Sequence, residues 1–143
     1  MVTEQEIEAA ETLRGKGEFA AALSLTQEML SRVEQEGSRM RLLFDVLYCS
    51  SRLCLDEVTN SAIAQLEQLP EPEMSQFFVN FIRAMSYIAH GRYQTGLELI
   101  DANLRSEFAE RDSFCEEKYE HLAYKGSALT GLRRCEEALV SCN

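Results

Sequence analysis

Proline is almost missing from this 143-residue chain; the only two, Pro70 and Pro72, sit together in Leu69-Pro70-Glu71-Pro72-Glu73. Because proline breaks helices, long helices are permitted everywhere else, and one firm break falls near the middle. Period-two alternation of polar and apolar residues is also missing, which excludes β-strands and leaves an all-α chain. Apolar runs are cut every few residues by a charge, so none is long enough for a membrane span. The opening Met1-Val2-Thr3-Glu4-Gln5-Glu6 is acidic and no apolar core follows it, so it does not read as a signal peptide. Basic residues are few: 14 Lys and Arg stand against 24 Asp and Glu, a formal charge of −10. That balance opposes binding to nucleic acid or to an anionic membrane.

Residues that could carry chemistry are equally sparse. There is no Gly-rich phosphate loop, since Gly15-Lys16-Gly17 lacks both the spacing and a preceding strand, and neither Gly-x-Ser-x-Gly nor His-Glu-x-x-His occurs. The two histidines are far apart. His90 reads as a favourable partial charge at a helix C-terminus, and His121, beside Tyr119 and Glu120, as a residue on a solvated helix face. The neighbouring carboxylates Glu116-Glu117 and Glu136-Glu137 diverge on a helix and cannot share a proton. Cys49, Cys54, Cys115, Cys135 and Cys142 form no Cys-x-x-Cys pair and are odd in number, which excludes a disulfide framework and a zinc site. They read as small buried hydrophobes of a reducing compartment, with Cys142 as the exposed thiol. The chain is therefore expected to be cytoplasmic and not an enzyme, with no cofactor and no metal.

What the chain has in abundance is helical pattern. Thr3 and Glu6 form a capping box that opens a first helix through Ile7, Ala10 and Leu13. A second follows Phe19 and ends at Gly37, and a third, dense in apolar residues, begins after Ser38. Its turn is Asp56-Glu57, and the fourth, with Ile63, Leu66 and Leu69, ends at the prolines. The fifth is capped near Ser75 and spans Phe77 to His90, with Gly91 as its left-handed exit. The sixth fades near Ala109, the seventh starts at Asp112 or Ser113 and ends at Gly131, and the eighth begins near Cys135.

One phrase recurs at the junctions: a turn, an aromatic or similar residue, then a small residue before Leu or Ile. It reads Gly17-Glu18-Phe19-Ala20-Ala21-Ala22-Leu23 and Gly91-Arg92-Tyr93-Gln94-Thr95-Gly96-Leu97. Weaker copies are Glu57-Val58-Thr59-Asn60-Ser61-Ala62-Ile63 and Arg133-Arg134-Cys135-Glu136-Glu137-Ala138-Leu139. The small residues Ala22, Ala62, Gly96 and Ala138 lie 40, 34 and 42 residues apart. A period of that length predicts stacked helical hairpins. Antiparallel helices approach closely where small side chains face each other, which pairs Ala84 with Gly96 and Gly126 with Ala138.

These residues resemble the tetratricopeptide repeat family, most closely at Ala84, Tyr87, Gly91, Tyr93, Gly96 and Leu97. The chain departs from the family pattern at Asn80 and Arg83, and its second hairpin lacks the turn Gly and aromatic. The resemblance implies a right-handed superhelix of about eight helices in a single domain, with hairpins at about 3–37, 38–70, 74–110 and 112–143. Its final helix would stop after two turns at Asn143. That predicts either the N-terminal part of a longer protein or self-association through the C-terminal hairpin.

In this family the first helix of each hairpin lines a concave groove. On that template Phe44, Leu47, Phe78, Phe81, Met85 and Ile88 form an apolar strip suited to a peptide or amphipathic helix of another protein. The family's carboxylate-clamp positions hold Ile7, Glu11, Tyr48, Phe78 and Ile82, which excludes that mode. The expected function is thus a non-catalytic protein-binding scaffold. The alternatives are a small acidic chaperone of the type III secretion kind and a regulatory sensor domain of a longer protein.

Overall fold

Thr3 opens the first helix as the capping box requires. Its hydroxyl accepts the Glu6 N–H at 3.3 Å, and the Glu6 carboxylate accepts the Thr3 N–H at 2.8 Å. The computed structural model describes residues 1–111 and 115–142. Among them are seven α-helices and no strand: α1 (Glu4–Gly15), α2 (Phe19–Leu30), α3 (Glu36–Arg52), α4 (Asp56–Glu67), α5 (Pro72–Ala89), α6 (Tyr93–Arg105) and α7 (Cys115–Cys142), with a 3-10 turn at Glu107–Glu110. None is long and apolar enough to cross a membrane.

The three hairpins among the described residues close with one and the same turn. Glu18, Leu55 and Arg92 donate their N–H groups to the carbonyls of Leu13, Ser50 and Tyr87, five residues back, at 3.0, 2.9 and 2.8 Å. The residue before each donor has a positive φ: +81° at Gly17, +58° at Cys54 and +78° at Gly91. This is the left-handed helix exit that glycine makes cheaply; at Cys54 it costs roughly 1–2 kcal/mol. The three positions are spaced by two equal steps of 37 residues. That register corrects the spacing drawn from small residues. Thr59, not Ala62, stands in line with Ala22 and Gly96, and its hydroxyl meets Ser50 Oγ at 2.8 Å across the turn. Ala10, Leu47 and Ala84 also fall in register, and all three are fully buried.

Other boundaries differ for local reasons. The helix before the central break ends at Glu67, and Pro72 opens α5 instead of delaying it to Ser75, because a proline at the first helical position gives up an N–H that has no partner there. The Ser75 hydroxyl, buried, donates instead to the Leu66 carbonyl at 2.6 Å. The largest correction is at the C-terminus. The expected turn near Gly131 is absent, and α7 runs through it as one 28-residue helix, so the described helices number seven and not about eight. A lone glycine costs a helix only about 1 kcal/mol, and Leu132 to Leu139 supply no proline to end it. Gly126 and Ala138 therefore share a helix and do not face each other, and a Cβ on Gly126 would meet open space. The expected seventh-helix start at Asp112 or Ser113 lies outside the described residues.

The chain divides into two compact units, Met1–Gln76 and Phe77–Asn143. In the first, α2 packs on α1 and α3, and α4 packs on α3. Its core joins Ile7, Ala10, Met29, Val33 and Leu42. Ion pairs tie the helices at their edges: Arg41 bridges Glu4 and Glu11 at 2.6 and 2.8 Å, and Arg32 holds Glu6 at 2.6 Å. Hydrogen bonding from Arg32, then from the Thr3 N–H, holds the Glu6 carboxyl down at about 2. In the second unit α6 packs on α7, around Ala84, Ile88, Ile100 and Ala128. Here Gly96 does face Ala84: a Cβ at Gly96 would lie 3.1 Å from the Ala84 carbonyl oxygen and 2.6 Å from Ile88 Cγ1.

Candidate functional site

The six residues of the expected apolar strip are all buried, Ile88 being the most accessible at 9%. Phe44 and Leu47 belong to the first unit, and Phe78, Phe81, Met85 and Ile88 to the second. Each Phe has ring or cation partners in its own unit. The Arg14 guanidinium lies 5.3 Å from the centroids of both Phe44 and Tyr48, and Phe81 stacks on His121. Phe78 meets the edge of Phe77.

His121 is a correction to the sequence reading. It is fully buried, not on a solvated face. Its ring lies 4.2 Å from that of Phe81 and 5.0 Å from that of Phe77, nearly parallel to both. Nδ1 is 2.6 Å from the Glu117 carbonyl one turn back, and Nε2 is 2.9 Å from Asn103 Nδ2. A carbonyl can only accept, so Nδ1 carries the proton and Nε2 accepts from the amide. The amide itself is held in place. Asn103 Nδ2 also donates to the Phe77 carbonyl at 2.8 Å, and Asn103 Oδ1 accepts from Asn80 Nδ2 at 3.3 Å. Burial holds the imidazole below its ordinary value, with the Glu117 carbonyl opposing. Such a ring is neutral and fully engaged, a poor general base for any external substrate.

The face of α7 turned to its own unit thus carries His121, Tyr124, Ala128 and Gly131, with a Cβ on Gly131 falling 2.5 Å from the Tyr93 ring. The opposite face exposes Tyr119 at 68%, Leu122 at 45% and Leu129 at 48%. Leu139 and Val140 are exposed further along. Beside this face runs a shallow groove of about 660 Å³, lined by Tyr93 and by Ala123, Gly126, Ser127 and Thr130 of α7. Tyr119, Leu122 and Leu129 are the outward apolar residues that sequence reasoning missed. Spacings 119–122–129 and 121–124–128–131 both fit one side of a helix, so periodicity alone cannot choose which side is buried. The stacking rings of Phe77 and Phe81 and the amide of Asn103 decide it.

A second groove, about 450 Å³, lies in the first unit between α2 and α4, floored by Leu43 and Val46 of α3. Among the described residues no group of three His, Cys, Asp or Glu side chains could hold a metal ion. Of the cysteines, Cys49 is buried as expected, but Cys54 and Cys135 are exposed; the reading of Cys142 lies outside the described side chains. Burial, and next the Asp45 carboxylate, push the Cys49 thiol up to about 11. Alkylation of the native protein at pH 8, followed by peptide mass mapping, is expected to label Cys54 and Cys135 within minutes. Cys49 should be labelled only at the rate at which the first unit opens.

No protein-family model matches this chain, and no curated protein or solved structure matches it either.

Proposed function

We propose that the protein is a non-catalytic interaction module built from helical hairpins, resembling tetratricopeptide repeats, which docks an amphipathic segment of another protein on the outer face of α7. The observation that carries this reading is the inverted pattern of α7, which buries a histidine and turns Tyr119, Leu122 and Leu129 to solvent. Each large side chain left in water forgoes roughly 1.5–3 kcal/mol of burial, which a partner's apolar face would recover. The adjoining small residues Ala123, Gly126 and Ser127 would let a second helix backbone come close. The shared 37-residue turn register supports the right-handed superhelix of that family. The missing catalytic motifs and the net charge of −10 support a protein partner over a substrate or nucleic acid. The partner surface we favour is α7, because Phe44, Leu47, Phe78, Phe81, Met85 and Ile88 are occupied in packing.

The test is a displayed peptide library selected on the full chain. Selected peptides should be amphipathic and should slow amide exchange across residues 118–136. A Leu122→Glu/Leu129→Glu double variant should keep its helicity and lose at least about tenfold in affinity, or about 1.4 kcal/mol. Undiminished binding to that variant, or protection confined to α1–α4, would reject this surface.

A further inference from the structure

We infer that His121 is an acid-sensitive latch: it holds α7 against α5 and α6 while neutral, and releases the helix when its ring takes up a proton. The inference stands on the wiring around the ring and does not depend on which partner α7 binds.

The wiring leaves no room for a second ring proton. Both hydrogens of Asn103 Nδ2 are committed, one to the Phe77 carbonyl and one to His121 Nε2. A proton on Nε2 would set donor against donor. Turning the amide over would not help, because its oxygen would then face the Phe77 carbonyl and lose the Asn80 donor. The Nδ1 side is closed by the Glu117 carbonyl. The imidazolium can therefore be accommodated only by leaving the pocket.

Among the described residues no carboxylate is hydrogen-bonded to the ring. From α5 the groups at this centre are Phe77, Phe81 and Asn80, none of them ionisable. On α6 the nearby amide is Asn103, and Asp101 is tied to Lys125 of α7 at 2.7 Å. In the 3-10 turn Phe108 packs on Phe77, and Glu110 pairs with Lys118 of α7 at 3.1 Å. Glu117, whose carbonyl holds Nδ1, is the neighbouring acid on α7 itself.

A comparison inside the chain shows that packing does not demand this arrangement. Phe81 and Asn103 lie two 37-residue steps beyond Ile7 and Met29. By the same steps His121 corresponds to Leu47 of the first unit, which is fully buried like Met29. Where the first unit buries Leu47 and Met29, the second buries His121 and Asn103.

The direction of the effect follows from linkage. Burial lowers the ring's proton affinity in the folded state, while in the unfolded chain it titrates near its ordinary value of about 6.5. Above that pH both states are neutral and the latch is at full strength. Below it the open state gains a proton that the closed state refuses, so opening rises by up to about tenfold per pH unit. The rise levels off once the pH falls under the folded-state value.

The experiment uses the full chain, uniformly labelled on histidine nitrogen. Because there are only two histidines, exposed His90 serves as the internal reference. The nitrogen spectrum should show His121 as the Nδ1–H tautomer, still neutral at its ordinary value of about 6.5. Amide exchange in α7, corrected for its intrinsic pH dependence, should rise up to about tenfold from pH 6.5 to 5.5. The variant His121→Leu/Asn103→Met, which copies Leu47 and Met29 of the first unit, should abolish that rise. Reversible titration of His121 near 6.5 with α7 still protected would overturn the latch, and so would an undiminished rise in the double variant. Should the variant fail to fold, the wild-type tautomer and titration decide the matter alone.

Discussion

Gly126→Ala is expected to stabilise the protein by about 1 kcal/mol, whereas Gly131→Ala, five residues along the same helix, should destabilise it by about 1–3 kcal/mol. The two substitutions are chemically identical and differ only in what the new methyl meets. At Gly126 a Cβ finds nothing within 4 Å, so the gain is the backbone freedom that glycine no longer has to lose. At Gly131 it falls 2.5–2.6 Å from three atoms of the half-buried Tyr93 ring, which packs against the core of its unit and would have to give up that contact to step aside. Urea titration followed by circular dichroism measures both. The pair also tests the length of α7. In a hairpin turning near Gly131, Gly126 would face Ala138, and its replacement would clash. A destabilising Gly126→Ala would therefore restore the shorter helices and sink the continuous one.

Much of the fold was legible in the sequence because its signals are local. The Thr3–Glu6 capping box, the Gly91 exit and the close approach of Gly96 to Ala84 each depend on residues a few positions apart or on one hairpin. The failures come where a local signal is silent. Cys54 adopts a left-handed turn that no residue preference announces, so the second junction was read three residues out of register. At Gly131 a mild helix penalty was read as a break, although nothing nearby enforces one.

The site was less legible than the fold. Phe44 and Phe81 are expected to line a groove and are instead buried, because a residue pattern gives the side of a helix, not whether neighbouring helices leave that side open. His121 shows the same limit from the other direction. Between Glu120 and Leu122 it reads as polar surface, and only the stacking rings of Phe77 and Phe81 and the amide of Asn103 make burial favourable. Tyr119 and Leu122 are then forced outward by helix geometry, since they lie on either side of it.

Removing the Arg14 guanidinium should be the most damaging single change in the first unit. Arg14 Nη1 meets Asp45 Oδ1 at 2.5 Å, with the Asp45 side chain 2% exposed and that of Arg14 14%. The same guanidinium lies over Phe44 and Tyr48, so it fills space as well as neutralising charge. Arg14→Met removes this cation from beside the buried carboxylate and is expected to cost about 3–5 kcal/mol. Adding Asp45→Asn should recover a large part of that loss, because the stranded charge rather than the missing contact dominates it. Arg14→Lys should fall between, keeping the charge but not the flat stacking surface. Cys49 reports the outcome directly. Its thiol sits beside Asp45 and is reactive only when the unit opens, so a loss of about 3–5 kcal/mol should raise its alkylation rate by about two to three and a half orders of magnitude. Losing Arg14 also removes the cation that draws the Cys49 thiol downward, so faster labelling cannot come from a more acidic thiol in the closed state. An unchanged Cys49 rate in Arg14→Met would mean that the ion pair contributes nothing to holding α1 against α3.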